Sequence, residues 1–82
     1  MFLEILTPEK RLYSGESKLV KVPGTDGSFE LMDKHAPIIS TLSEGFIKVI
    51  TPDDVPRIFN VSGGVLEMKD NRVIILVEKS ID

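Results

Sequence analysis

Ile58-Phe59-Asn60-Val61-Ser62-Gly63-Gly64-Val65-Leu66-Glu67-Met68-Lys69-Asp70-Asn71-Arg72-Val73-Ile74-Ile75-Leu76-Val77 decides the fold class. Candidate strands over 58–62, 65–68 and 73–77 are parted by Gly63-Gly64 and by Lys69-Asp70-Asn71. Glycine supplies positive φ, and Asp or Asn bonds its own turn backbone, so both breaks read as tight turns. Phe59 and Val61 point one way while Asn60 and Ser62 point the other; Leu66 and Met68 oppose Val65 and Glu67. That two-residue period belongs to half-buried strands. The run 73–77 is apolar at every position and β-branched at most, which predicts a strand covered on both faces.

The same punctuation continues toward the N-terminus. Turn signals recur at Thr7-Pro8-Glu9-Lys10, Ser14-Gly15, Pro23-Gly24-Thr25-Asp26-Gly27, Asp33-Lys34, Ser43-Glu44-Gly45 and Pro52-Asp53-Asp54. Further strands are expected over 2–6, 11–13, 18–22, 28–32, 38–42 and 46–50, with 51–57 an exposed loop holding two prolines. No run of helical period interrupts them. The chain reads as one compact, all-β, antiparallel domain over residues 1–82, a sandwich or barrel without repeat or linker.

Composition narrows the function. The chain carries 10 basic and 13 acidic residues with no basic block, so a nucleic-acid partner is not expected. It has no cysteine and one histidine, His35, which leaves no disulfide, no thiolate site and no histidine cluster for a metal. The longest apolar run, 73–77, is far short of the roughly 20 residues of a membrane span. Met1-Phe2-Leu3-Glu4 lacks the basic and apolar regions of a secretion signal, so the reading is a cytosolic or peripheral protein.

No constellation of catalytic residues stands out. Ser28, Ser40, Thr41 and Asp33 lie near His35 in sequence, yet a triad is a matter of geometry, and a histidine in a turn before Ala36-Pro37 is the simpler reading. Asp53 and Asp54 lie between prolines, where nothing suggests the burial that raises a carboxyl pKa. Gly24-Thr25-Asp26-Gly27 lacks the lysine of a phosphate loop, and Asp26 would repel a phosphate. Phe2, Phe29, Phe46 and Phe59 are core candidates; Phe29, just after a turn, could alternatively be an exposed anchor. No catalytic residue, cofactor or metal is expected. One non-enzymatic reading has its own signal: small β-sandwich carriers bear a lipoylated or biotinylated lysine on a hairpin tip, and Lys69 or Lys34 would be that lysine.

Three segments carry a family resemblance: Thr7 to Glu16; Val22-Pro23-Gly24-Thr25-Asp26-Gly27-Ser28-Phe29 through His35-Ala36-Pro37 to Leu42; and Val61-Ser62-Gly63-Gly64-Val65-Leu66-Glu67-Met68 with Asn71-Arg72-Val73. In order and spacing they resemble the epsilon subunits of F-type ATP synthases, and the likeness runs over essentially the whole chain. The resemblance implies a flattened antiparallel sandwich of about ten short strands, a non-catalytic rotor part at the foot of the central stalk. It implies two partners. Thr7, His35 and Ser40 would face the gamma subunit; Asp26, Gly27, Ser28 and Phe29 would face the c-ring. It also implies a peripheral place on the cytoplasmic face of a bacterial plasma membrane, or less typically on a thylakoid, and coupling of proton or sodium flow to ATP synthesis. Two departures are visible. Many members continue into a helical hairpin that acts as an inhibitory arm, whereas this sequence stops at Ile81-Asp82, as a naturally short subunit or a piece of a longer one. Inhibition and ATP sensing by such an arm are therefore not expected of it. Ser28-Phe29 stands where many relatives have Glu and a small aliphatic residue, which alters the polar contact expected with the ring.

Overall fold

The structure, a computed structural model, describes residues 1–81. It holds nine strands: β1 (Phe2–Leu6), β2 (Arg11–Glu16), β3 (Leu19–Val22), β4 (Phe29–Met32), β5 (Ile38–Leu42), β6 (Gly45–Ile50), β7 (Pro56–Val61), β8 (Gly64–Lys69) and β9 (Arg72–Val77). They form a five-stranded sheet in the order β2-β1-β9-β8-β5 and a four-stranded sheet in the order β4-β3-β6-β7. After β9 the chain crosses to the second sheet, where Val61 bridges Ser80 and Ile81 donates to the Asn60 carbonyl at 2.7 Å.

The alternation seen in sequence is what closes the sandwich. Leu3 and Ile5 of β1, Val73 and Ile75 of β9, and Leu66 and Met68 of β8 turn inward from one sheet. Val20 and Val22 of β3, Leu31 of β4, Ile47 and Val49 of β6 and Val61 of β7 meet them from the other. All are essentially solvent-free, and each such side chain contributes about 1.5–3 kcal/mol by leaving water. A one-residue slip in any strand would exchange this set for polar neighbours, so the pattern also sets the register.

Several expectations need correction. The domain is not antiparallel throughout: β1 runs parallel to β9, Leu3 opposite Val73 and Ile5 opposite Ile75. The start and end of the chain can therefore lie side by side without a hairpin, at the cost of a long crossover through the whole fold. Ser14-Gly15 does not turn; Gly15 pairs with Leu3, and β2 continues to Glu16. The expected loop 51–57 is shorter, because Pro56 and Arg57 already belong to β7. β7 is an edge strand whose first residue is the proline, a place where the missing N–H costs nothing. β9 is covered on one face only: Val73, Ile75 and Val77 are buried, whereas Leu76 is 51% exposed on the outer face. Hydrophobicity on both faces reflected β9's central place between β1 and β8, where β-branched residues suit the pleat, not a second covering layer.

Candidate subunit interfaces

The turn from Gly24 to Ser28 is built by glycine. Gly27 N–H bonds the Gly24 carbonyl at 3.0 Å, and Gly27 has φ 125°, a conformation few other residues accept. A Cβ on Gly24 would lie 2.6 Å from the Gly27 carbonyl oxygen and 2.8 Å from the Phe29 ring. The absent side chain is therefore what lets Phe29 fold back over the turn and pack against the core. Phe29 is half-buried and is not the exposed anchor considered above; Thr25, Asp26, Gly27 and Ser28 are the exposed residues of the turn. The turn is stitched to the neighbouring sheet: Thr25 N–H donates to the Thr41 carbonyl at 3.0 Å, the Thr25 and Thr41 hydroxyls pair at 2.8 Å, and Ser43 N–H reaches the Pro23 carbonyl at 2.8 Å. It is a rigid, polar projection. A shallow cleft of about 200 Å³ beside it is lined by Lys21, Pro23, Ser28, Gly45 and Phe46.

Thr7, His35 and Ser40 do not form one cluster. Thr7 directly follows β1, where its hydroxyl accepts the Glu9 and Lys10 N–H groups at 3.2 and 3.0 Å and holds the following turn. His35 is exposed in the β4–β5 connection, its Nδ1 2.7 Å from the Ala36 carbonyl. Ser40 is half-buried in β5, opposite Leu66, and donates to the Thr41 carbonyl at 3.1 Å. In the five-stranded sheet β1 and β5 are separated by β9 and β8, so at about 4.8 Å per strand Thr7 and Ser40 stand about 14 Å apart across it. Ser40, opposite buried Leu66, turns to the inner side of β5, so a partner reaching both would cross the outer face and wrap around the β5 edge. That face carries Ile39, Val65 and Leu76, 74%, 41% and 51% exposed. The aliphatic row is a feature that sequence reasoning missed. Its sequence signal was Val65 in β8 with Ile74 and Leu76 in β9, apolar residues at outward positions, which the assumption of a covered β9 absorbed.

The remaining chemistry is structural. Asp33 turns away from His35: its Oδ1 accepts Asn71 Nδ2 at 2.7 Å and the Met1 ammonium at 3.2 Å. Those two contacts, Asn71 foremost, hold its carboxyl below the ordinary carboxylate range. His35, Asp33 and Ser40 therefore share no hydrogen bond, and no triad forms. Among the described residues no three His, Asp or Glu side chains converge as a metal cage. Lys69 sits opposite Arg72, and Asp70 and Asn71, at φ 53° and 60°, make the two-residue turn of a hairpin. The tip is tied down, since Asn71 Oδ1 also accepts the Lys34 N–H at 2.7 Å.

The sequence pattern of the family described as "ATP synthase, Delta/Epsilon chain, beta-sandwich domain" matches residues 1–82. The chain belongs to this family. That membership replaces the carrier reading of Lys69 and Lys34. The chain is 38% identical over 76 residues to the ATP synthase epsilon chain of Chlorobium limicola, covering 93% of this chain and 86% of that one. It is 38% identical over 79 residues to the ATP synthase epsilon chain of Rhodospirillum rubrum, where the match covers 96% of this chain but only 59% of the relative. The family thus includes chains of nearly this length and chains well beyond it. Among solved structures, a chain of the Euglena gracilis mitochondrial ATP synthase superposes with a TM-score of 0.89 at 16% identity, over 96% of this chain and 51% of that one. One from the central stalk and c-ring of the Tetrahymena thermophila mitochondrial ATP synthase gives 0.83 at 21% identity, over 100% and 66%. Both likenesses are of fold.

Proposed function

We propose that this member of the family is a non-catalytic subunit of the central stalk of an F-type ATP synthase, held between the gamma subunit and the c-ring. The observation that carries the reading is the family match across residues 1–82, joined by epsilon chains of nearly the same length. The rigidity of the fold supports it. Two sheets packed around a solvent-free core are stiff, as close-packed interiors are, and a stiff body passes torque without chemistry of its own. Its contribution is to couple ion flow, of protons or sodium, to ATP synthesis elsewhere in the complex.

The c-ring contact is the turn bearing Asp26, Gly27 and Ser28, which projects polar groups on a braced backbone; Phe29 supports it from beneath. The gamma contact involves Thr7, His35 and Ser40, with the outer face of the five-stranded sheet between them. The subunit is peripheral to the membrane, on its cytoplasmic face, and reaches the bilayer only through the complex. Co-purification tests this reading. Tagged chain expressed with gamma and the c-ring should retain both, and a double Asp26→Lys, Ser28→Lys variant should lose the ring while keeping gamma. Retention of neither partner by the unaltered chain overturns it.

A further inference from the structure

Met1 extends the β1–β2 ladder by one residue. Its carbonyl accepts the Ser17 N–H at 2.9 Å, and its ammonium donates to the Ser17 carbonyl at 3.1 Å. The same ammonium donates to Asp33 Oδ1 at 3.2 Å and lies 3.6 Å from Glu16 Oε1. Its side chain is buried, the residue being 5% exposed. Asn71 completes the corner: its amide donates to Asp33 and accepts from Lys34 N–H, and its carbonyl accepts the Phe2 N–H at 3.2 Å. Three separate parts of the chain thus meet at one charge: the first residue, the β4–β5 connection and the β8–β9 turn.

We infer that, in a chain whose first residue is Met1, the free α-ammonium is a structural group that pins the Asp33–Lys34–His35 turn, and that N-acylation releases it. An ammonium has three hydrogens and a positive charge; an acylated nitrogen has one hydrogen and no charge. The acylated form keeps either the ladder bond to Ser17 or the bond to Asp33, not both. The carboxylates of Asp33 and Glu16 then lose their shared cation, and the acyl carbon must be placed beside the buried Met1 side chain. Lys34, at φ 64°, is held there by Asn71, whose amide is oriented by Asp33, so the loss propagates to the turn that carries His35. A formyl group left on the chain would have this effect. Its hydrolysis, in which water cleaves the amide C–N bond and formate leaves the free amine, would have to precede closure of the corner. The consequence for partner binding rests on the gamma-facing role of His35; the corner itself does not.

The isolated 82-residue chain tests the inference without any partner, so its failure is separate from failure of the proposed function. Amide hydrogen exchange is compared by NMR between the free and N-formyl chains, each as wild type and as Asp33→Asn. The expected result is exchange at Lys34 and His35 faster by about tenfold in the formyl chain, the size of losing a charge-assisted bond at an exposed site, with β3 and β6 amides unchanged. In the free chain Asp33→Asn should reproduce most of that change, and formylating the Asp33→Asn chain should add little. Equal exchange at these amides in free and formyl wild type overturns the inference. So does a formyl effect of full size in Asp33→Asn. Where the formyl chain unfolds altogether, the free chain decides: unaltered Lys34 and His35 exchange in Asp33→Asn overturns it.

Discussion

Gly24 shows how much one absent side chain can carry. A Cβ at this position would meet a backbone oxygen at 2.6 Å as well as the Phe29 ring, so the obstruction cannot simply rotate away. Gly24→Ala should cost about 1–3 kcal/mol through overpacking. In a domain of this size that lowers the melting temperature by roughly 4–8 °C per kcal/mol. An unchanged melting curve would show that the turn is softer than its packing implies. Gly64 is the stricter case, since a Cβ there would fall on the Leu76 carbonyl oxygen across the β8–β9 pair. Asp33 makes a different residue-scale statement. Its carboxyl titrates below the ordinary 3.8 because Asn71 and the Met1 ammonium bond the charged form. As pH falls, the unfolded chain takes up this proton first. The stabilisation is therefore present above the unfolded value and lost as pH drops from about 4 through the lower folded value. Thermal melts at a series of acid pH values should show the gap between wild type and Asp33→Asn closing in that window, and a gap that widens there would contradict the assignment.

At the scale of elements, the seams of the sandwich matter more than its middle. β2 and β7 are edges of different sheets on the same side. They are joined there by Tyr13 and Phe59, whose rings meet edge to face with centroids 6.2 Å apart. Arg57 caps both, its guanidinium carbon 5.5 Å and 5.2 Å from the two ring centroids. Because Arg57 is exposed, Arg57→Ala should cost only about 0.5–1 kcal/mol. The ring pair should carry about 0.5–1.5 kcal/mol of coupling in a Tyr13/Phe59 double-mutant cycle followed by denaturant melts. Zero coupling would mean that the seam is closed by the backbone alone. The Lys18–Asp54 pair, although only 2.6 Å long, is exposed at both ends and should contribute little.

For the whole molecule, the separation of Thr7 from the β5 edge has a measurable consequence. Residues more than about 7–10 Å apart with no shared partner contribute additively. If gamma crosses the outer face, Thr7→Ala and His35→Ala should weaken its binding independently, so that the free-energy cost of the double variant is the sum of the singles. An interfacial anchor typically costs about 2 kcal/mol, or some thirty-fold in Kd. Placing a charge between them, as Val65→Lys, should weaken gamma binding at least as much while leaving the fold intact, because Val65 is 41% exposed. Calorimetric titration of gamma with these variants reads both effects. Full affinity in Val65→Lys would move the contact off this face.

The sequence by itself determined the strands, the turns and the family. Each follows from local physics: a two-residue period of apolar side chains, glycine where φ must be positive, and motif residues in order. The stretch 58–77 became β7, β8 and β9 with their two turns nearly as read. What local pattern cannot express is which strand lies beside which. Only the tertiary structure set β1 parallel to β9, and only it left one face of β9 uncovered, although that strand looks buried from its own composition. Only it ran β2 on through Gly15, where pairing with β1 overrode a plausible turn. The proposed interfaces were legible to different degrees for the same reason. The Gly24–Ser28 turn is local, and its exposure could be anticipated from its glycines. Thr7, His35 and Ser40 are distributed over distant strands, and their spacing, like the ammonium corner joining Met1, Asp33 and Asn71, exists only once long-range pairing has brought those residues together.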